Sequence, residues 1–261
     1  MEPDPRMPVV RDGDIAIVTF NRPDVRNAFD LALWESLRRT MEALDADETL
    51  RCVVLRGAGE EAFSAGADIA AFPRERATRA QEDRYAALLG AGMQSIRLCR
   101  HPVVAMIMGA CVGGGAGIAT MCDFRVGGEG MRFGITAGAR GLWYTYAELD
   151  PVIGLAGTGV AAEIFIEGRI FSGREAYEKG LLSRLVADAR VAEEAMALAR
   201  RIAAGAPLSA RFHKAAIRRL RGDLPLSEAE QRLANGFVET EDFHEATRAF
   251  LEKRRPVWKG R

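Results

Sequence analysis

Residues 101–123 read HPVVAMIMGACVGGGAGIATMCD. The apolar run PVVAMIM (102–108) reads as a strand, three glycines follow at 113–115, and a short small-residue segment leads to Cys122 and Asp123. No side chain in the glycine stretch can do acid or base chemistry. Backbone this bare lets another group approach it closely. The twenty residues from Val103 to Cys122 carry no charge, a length that could span a bilayer. Five of them are glycines, which penalises a continuous helix. A strand, a turn and a short buried helix is the better reading, and no membrane partner is expected.

Upstream, IAIVTF (15–20) and RCVVLRG (51–57) have the same buried-strand character. Between them NRPDVRN forms a polar loop around Pro23, and Asp30 stands as the N-cap of a helix through LALWESLRRTMEAL. A small-residue loop, AGEEAFSAGADIAAF, follows the second strand; next come a charged region near 74–84 and a helix through YAALLGAGMQSIRLC. CDFRV and MRFGI read as further short strands, and from about residue 156 the pattern turns helical to the C-terminus. Strands alternating with helices indicate an α/β fold with crossover connections, a core over 1–200 and a helical region over 201–261.

The 261 residues hold 36 basic and 36 acidic side chains, so no basic bias points to nucleic acid. The clusters RRLR (218–221) and EKRR (252–255) read as solvated helix surface. The N-terminal MEPDPRMPVV has no apolar core of a signal peptide. Cys52, Cys99, Cys111 and Cys122 form no CxxC pair and fit buried thiols in a reducing, cytoplasmic setting. His101, His213 and His244 are not at metal-ligand spacing, and no metal is expected. GTGVAA (157–162) matches the loose dinucleotide pattern but follows no strand and opens a helix, so it is a chance match.

Two glycine-bearing loops remain, FSAGADIAAF (63–72) and GACVGGGAGI (109–118), each after an apolar strand. Two backbone N–H groups converging on one oxygen would make an oxyanion hole; tight packing without a ligand is the plain alternative. Both loops resemble those of the crotonase superfamily, the enoyl-CoA hydratase/isomerase family. The resemblance extends through NRPDVRNAF (21–29), HPVVAMIMGACVGGG (101–115), CDFRV (122–126), RFG (132–134), FSGREAYEKGLLSRLV (171–186) and AFLEKRRPVWKG (249–260), in order and at matching spacing.

That resemblance implies a spiral of ββα turns with C-terminal helices supporting a homotrimer or hexamer. It implies an acyl-CoA thioester as substrate, with coenzyme A part of that substrate and no separate cofactor. Its oxygen would be held by the N–H groups of Ala67 and Gly114, and the CoA moiety would lie near Arg26, Ala28, Ala65, Asp68 and Ile69. Charge suits Arg26 to a phosphate; a solvated surface arginine is the alternative.

Hydratases of this family carry two glutamates, and the same alignment puts Gly117 and Ala137 at those positions. Replacement groups are sought in GLWYTYAELD (141–150). Tyr144 falls where methylmalonyl-CoA decarboxylase of this superfamily has a tyrosine, although that enzyme has a histidine at the place of Ala67. Glu148 would restore an acid/base if its helix turned inward, or merely cap the helix at the surface. Tyr146 and Asp150 are further candidates, and Trp143 reads as core or pocket wall. Three functions compete: a hydratase or isomerase with altered acid/base residues, a malonyl-type decarboxylase using Tyr144, and a non-catalytic CoA-thioester binder.

Overall fold

The computed structural model describes residues 4–221 and 225–261; the first three residues of the N-terminal stretch lie outside them. The strands are β1 (Val9–Asp12), β2 (Ile15–Phe20), β3 (Cys52–Gly57), β4 (Ala62–Ser64), β5 (Val103–Ile107), β6 (Ala110–Val112), β7 (Phe124–Gly128), β8 (Arg132–Gly134), β9 (Ile170–Ser172) and β10 (Arg184–Val186). The helices are α1 (Leu31–Ala46), α2 (Phe72–Glu75), α3 (Arg79–Leu98), α4 (Gly114–Met121), α5 (Tyr146–Ala162), α6 (Gly173–Glu178), α7 (Val191–Ala203), α8 (Pro207–Arg219), α9 (Glu228–Asn235) and α10 (Glu241–Leu251).

One sheet has the order β1-β2-β3-β5-β7-β10 and the other β4-β6-β8-β9. Apart from the β1–β2 hairpin, the first sheet is parallel. In the second, β4, β6 and β8 run parallel and β9 closes antiparallel. The chain repeatedly takes one strand in the first sheet, one in the second and then a helix: β3–β4–α3, β5–β6–α4, β7–β8–α5. This is the ββα spiral of the crotonase fold.

Side chains alternate across a strand, and the central strands of the first sheet are buried on both faces, as parallel strands are. Val53, Leu55, Val103 and Ala105 face the larger core with Leu33, Trp34 and Leu37 of α1. Cys52, Val54, Val104 and Met106 face Val191, Ala195, Leu198 and Ala199 of α7. Those four α7 residues recur at i, i+4, i+7 and i+8, one stripe of a helix. Asp30 caps α1 as expected, its carboxylate accepting from Leu33 N–H at 2.8 Å.

Three expectations change. Helix α3 begins at Arg79, inside the charged region, because Thr78 and Gln81 form a capping box. The helical section begins at Tyr146 rather than near 156, because Thr145 and Glu148 form another; Gly157, at φ 79°, then kinks α5. The stretch 227–254 is not one helix: a 3-10 turn, Gly236–Glu239, separates α9 from α10, whose N-cap is Thr240.

The uncharged stretch 103–122 holds the expected strand and short buried helix, with a second short strand, β6, where a turn was expected. By length and composition, Tyr146–Glu167 is the one run among the described residues that could cross a bilayer, with mean hydropathy 1.5 and 22% of the window buried. The four cysteines are buried and free. No group of three or more potential metal ligands occurs among the described residues. The C-terminal section is tied back to the sheet: Arg51 donates to the carbonyls of Ala203 and Trp258, and Trp258 Nε1 donates to Ala204 O at 2.9 Å.

Arg125 holds the second and third turns of the spiral together. Its buried guanidinium donates to Leu181 O at 2.9 Å, Cys122 O at 2.6 Å and Ala119 O at 3.4 Å. The last two are terminal carbonyls of α4, where a cation also complements the helix dipole. Arg125→Ala takes the side-chain donor from the Leu181 and Cys122 carbonyls, while Ala119 O keeps the Cys122 N–H. It is expected to cost about 3 kcal/mol, read as a lower urea midpoint with the slope unchanged.

Candidate active site

Two loops meet edge to edge. The loop after β4 reaches Gly66 at φ +87°, and a Cβ built there would stand 2.6 Å from Gly114 N and 2.8 Å from Val112 O. No side chain fits between them. Ser64 sets the turn, its hydroxyl accepting from Gly66 N–H at 3.1 Å and donating to Asn27 O at 2.8 Å. Asn27 is itself buried, donating to Ala58 O at 3.0 Å and Ala62 O at 2.8 Å.

Ala67 and Gly114 are thereby brought together. Phe29 bridges to Ala67 through bonds that use Gly66 O and Asp68 N–H, at 2.7 and 2.8 Å. Alternation along extended backbone turns the Ala67 N–H to the other side. Gly114 opens α4, where first-turn N–H groups lack intrahelical acceptors. Among the described residues neither N–H is spent on a protein acceptor. Both N–H groups are open to an outside acceptor, and that of Gly114 lies at the positive end of α4.

A wall rises beside these amides. Trp34 Cζ2 comes within 3.2 Å of a Cβ built on Gly114. Its indole N–H donates to the Tyr85 hydroxyl at 3.1 Å, and burial lifts the Tyr85 pKa to about 12. The Arg76 guanidinium lies 4.4 Å from the Tyr85 ring centre and 4.6 Å from that of Phe72. Two of its nitrogens hold Glu82, both at 2.6 Å.

On the opposite side stands Tyr144, its hydroxyl 3.9 Å from a Cβ built on Gly113. Burial pushes its phenol well up, and the nearby Glu148 charge adds to that. Glu148 is turned inward and only 9% exposed. One carboxylate oxygen accepts from the Thr145 N–H at 2.9 Å and the Thr145 hydroxyl at 2.7 Å. The other, Oε1, makes no hydrogen bond to protein among the described residues. Glu148 is therefore a helix cap whose carboxylate is also buried, rather than one lying at the surface.

Tyr146 is corrected: it is 91% exposed, since two helical positions from Glu148 lie about 200° around the axis. Asp150 shares that outward direction and pairs with Arg97 and Arg221 at 3.0 and 3.1 Å. Trp143 is not core but 88% exposed, at the rim of an apolar cavity of about 400 Å³ whose walls include Ala137, Leu142, Tyr144 and Phe165. Gly117 is buried in α4, and a Cβ there would meet the Met93 methyl at 2.7 Å. Met93 occupies the room beside Gly117.

The remaining expected residues line two adjacent loops, joined by the 2.9 Å bond from Ala65 N–H to Arg26 O. Arg26 is exposed, beside a polar cleft of about 550 Å³ that also includes Asp24, Glu60 and Glu61. Ala28 is buried, Ile69 exposed, and Asp68 is paired with Arg22 at 2.9 Å. Arg76, Tyr85 and Met93 were not foreseen; only the charged region around Arg76 had been noted.

The family model for enoyl-CoA hydratase/isomerase matches residues 11–261. A protein of Rhizobium meliloti described as "Probable enoyl-CoA hydratase" is 33% identical over 256 residues, covering 97% of each chain. The short-chain-enoyl-CoA hydratase of Clostridium acetobutylicum is 30% identical over 248 residues, covering 94% of each. The crystal structure of an enoyl-CoA hydratase/carnithine racemase from Magnetospirillum magneticum superposes with a TM-score of 0.96 at 41% identity, covering 98% of this chain and 96% of that one. The chain belongs to the enoyl-CoA hydratase/isomerase family of the crotonase superfamily. It is an enzyme that processes acyl-CoA thioesters.

Gly66→Ala adds a methyl where none fits and strains a positive φ. Since displacement by about 1 Å can cost 10²-fold, turnover is expected to fall at least ~10²-fold with far-UV circular dichroism retained.

Proposed function

We propose that this enzyme forms the enolate of an apolar acyl-CoA at the Ala67 and Gly114 amides and moves its proton with Glu148. Coenzyme A arrives as part of the substrate, alongside Arg26, Ala28, Ala65, Asp68 and Ile69. The observation that carries the reading is the inward turn of Glu148, with one oxygen held by Thr145 and the other unspent. Gly117 and Ala137, at the places of the usual two glutamates, offer no carboxylate.

The thioester oxygen accepts both N–H groups, which stabilises negative charge as it develops there. Glu148 Oε1 takes a proton from the carbon next to the thioester and returns it two carbons further along. The double bond shifts, the proton count balances, and no water is consumed. One carboxylate suffices for this, whereas hydration must also activate a water. Met93 beside Gly117 and the apolar cavity beyond Tyr144 favour the isomerisation and an uncharged acyl chain. Tyr144 O–H lies beside the Gly113 turn and assists the enolate oxygen.

Decarboxylation of a malonyl-type thioester is less well served. Arg76 is already neutralised by Glu82, and Glu148 adds a further negative charge, so an anionic acyl group meets repulsion. The exposed apolar side chains Leu233, Phe237, Phe250 and Leu251 in and around α9 and α10 support assembly into a homotrimer or hexamer.

Turnover of a 3-enoyl-CoA to the conjugated 2-enoyl-CoA is the test. Glu148→Gln is expected to lower kcat about 10²–10⁴-fold, with Tyr144→Phe losing less. Carbon dioxide release from malonyl-CoA that needs Tyr144 but not Glu148 would establish the decarboxylase instead. Tight CoA-thioester binding without turnover of either substrate would leave a binding protein.

A further inference from the structure

Arg22, in the polar loop before α1, touches the supports of both amides. Its guanidinium spans the bridge that fixes the Ala67 loop. Nη1 donates to Ala28 O at 2.7 Å, one residue before Phe29, and Nη2 donates to the Asp68 carboxylate at 2.9 Å, one residue after Ala67. Phe29 accepts from the Asp68 N–H and donates its own N–H to Gly66 O. The guanidinium thus closes a second clasp alongside the Phe29–Ala67 bridge. The planar fork of an arginine holds two such acceptors in fixed directions, which a flexible lysine does not.

The same side chain reaches the other half of the site. Nη1 also lies 3.6 Å from Asp30 Oδ2, which Arg6 holds at 3.1 Å. Asp30 caps α1, and α1 carries the Trp34 that packs against Gly114. The side chains of Arg22, Asp30 and Asp68 are 19, 19 and 16% exposed, so solvent ions screen these pairs less than surface ones.

The loop is bent to deliver Arg22. Arg26 and Asn27 both take left-handed backbone, at φ 51° and 55°, which is uncommon for an arginine and costly for a non-glycine pair. Two bonds between Asn27 and Arg22 offset that cost. The Asn27 N–H donates to Arg22 O at 2.8 Å, and Asn27 Oδ1 accepts from the Arg22 N–H at 3.0 Å.

We infer that Arg22 is a positioning residue for the two amides. Through Ala28 and Asp68 it aims the Ala67 N–H, and through Asp30 it registers α1, and with it Trp34, against Gly114. This rests on Ala67 and Gly114 receiving the thioester oxygen, whichever proton transfer follows.

The probe is hexanoyl-CoA, isotope-labelled at the thioester carbon, with the carbonyl stretch of the bound molecule read by infrared difference spectroscopy. Amide donors weaken the C=O bond and lower that frequency without any turnover. Arg22→Gln is expected to lose most of the lowering. It is also expected to reduce kcat for a 3-enoyl-CoA roughly 10²-fold, the cost of displacement by about 1 Å, with KM nearly unchanged. Asp68→Asn should lose part of both, and Arg22→Lys should fall between Arg22→Gln and the unaltered enzyme. In the double variant Arg22→Gln/Asp68→Asn the losses should not add, because both substitutions cut one contact. A fully lowered stretch in Arg22→Gln overturns the inference even if kcat falls, and so does additivity. If Arg22→Gln does not fold, Asp68→Asn decides by the same stretch, and an unmoved frequency overturns the inference. An unaltered enzyme that lowers the stretch but does not turn over a 3-enoyl-CoA ends the isomerase reading alone. No lowering in the unaltered enzyme ends the amide reading, and this inference with it.

Discussion

The site depends on one steric constraint, the meeting of two bare backbones at Gly66 and Gly114. A methyl group on Gly66 would lie inside the contact distance of Gly114 N and Val112 O. Bringing these loops together requires β4 and β6 to be neighbours in the second sheet, and they pair directly. That pairing follows from the ββα course, which sends the second strand of each turn into the same sheet. The loop after β4 and the start of α4 consequently meet at one end of adjacent parallel strands. Ser64, Asn27 and the Phe29 bridge then fix the Ala67 amide from behind.

The second feature is economy of charge. Glu148 is buried because α5 starts where it does. The capping box uses one of its oxygens, and Tyr144, just before the Thr145 N-cap, packs its ring on Phe165. Beside Tyr85, Arg76 is balanced by Glu82, so it brings no net positive charge there, while Glu148 pairs with no cation among the described residues. That sum suits a proton acceptor better than it suits an anionic substrate.

Much of the fold could be read along the chain. The central strands β3 and β5 of the first sheet are runs in which both alternating faces are apolar, and the two glycine loops follow strands. The start of the helix in GLWYTYAELD is written in the T-x-x-E cap of Thr145 and Glu148, ten residues before the pattern turns plainly helical. Arg76 was not legible in this way. Residues 74–84, RERATRAQEDR, interleave acids and bases that look alike in sequence. Folding sorts them: Arg79 pairs with Asp83 outside, while Arg76 and Glu82 turn toward Tyr85.

The sequence by itself determined the family, the alternation of strands and helices, and the bare loops at Ala67 and Gly114, since these rest on local pattern and order along the chain. It also showed that Gly117 and Ala137 carry no carboxylate. Only the tertiary structure decided that Tyr144 and Glu148 turn inward while Tyr146 and Asp150 are exposed, that Met93 fills the room beside Gly117, and that Arg76 is held by Glu82, Phe72 and Tyr85. Those facts depend on where α5 begins and how α3 packs beside α4. Side-chain direction is set by helix phase and by neighbours distant in sequence, and no local pattern encodes either.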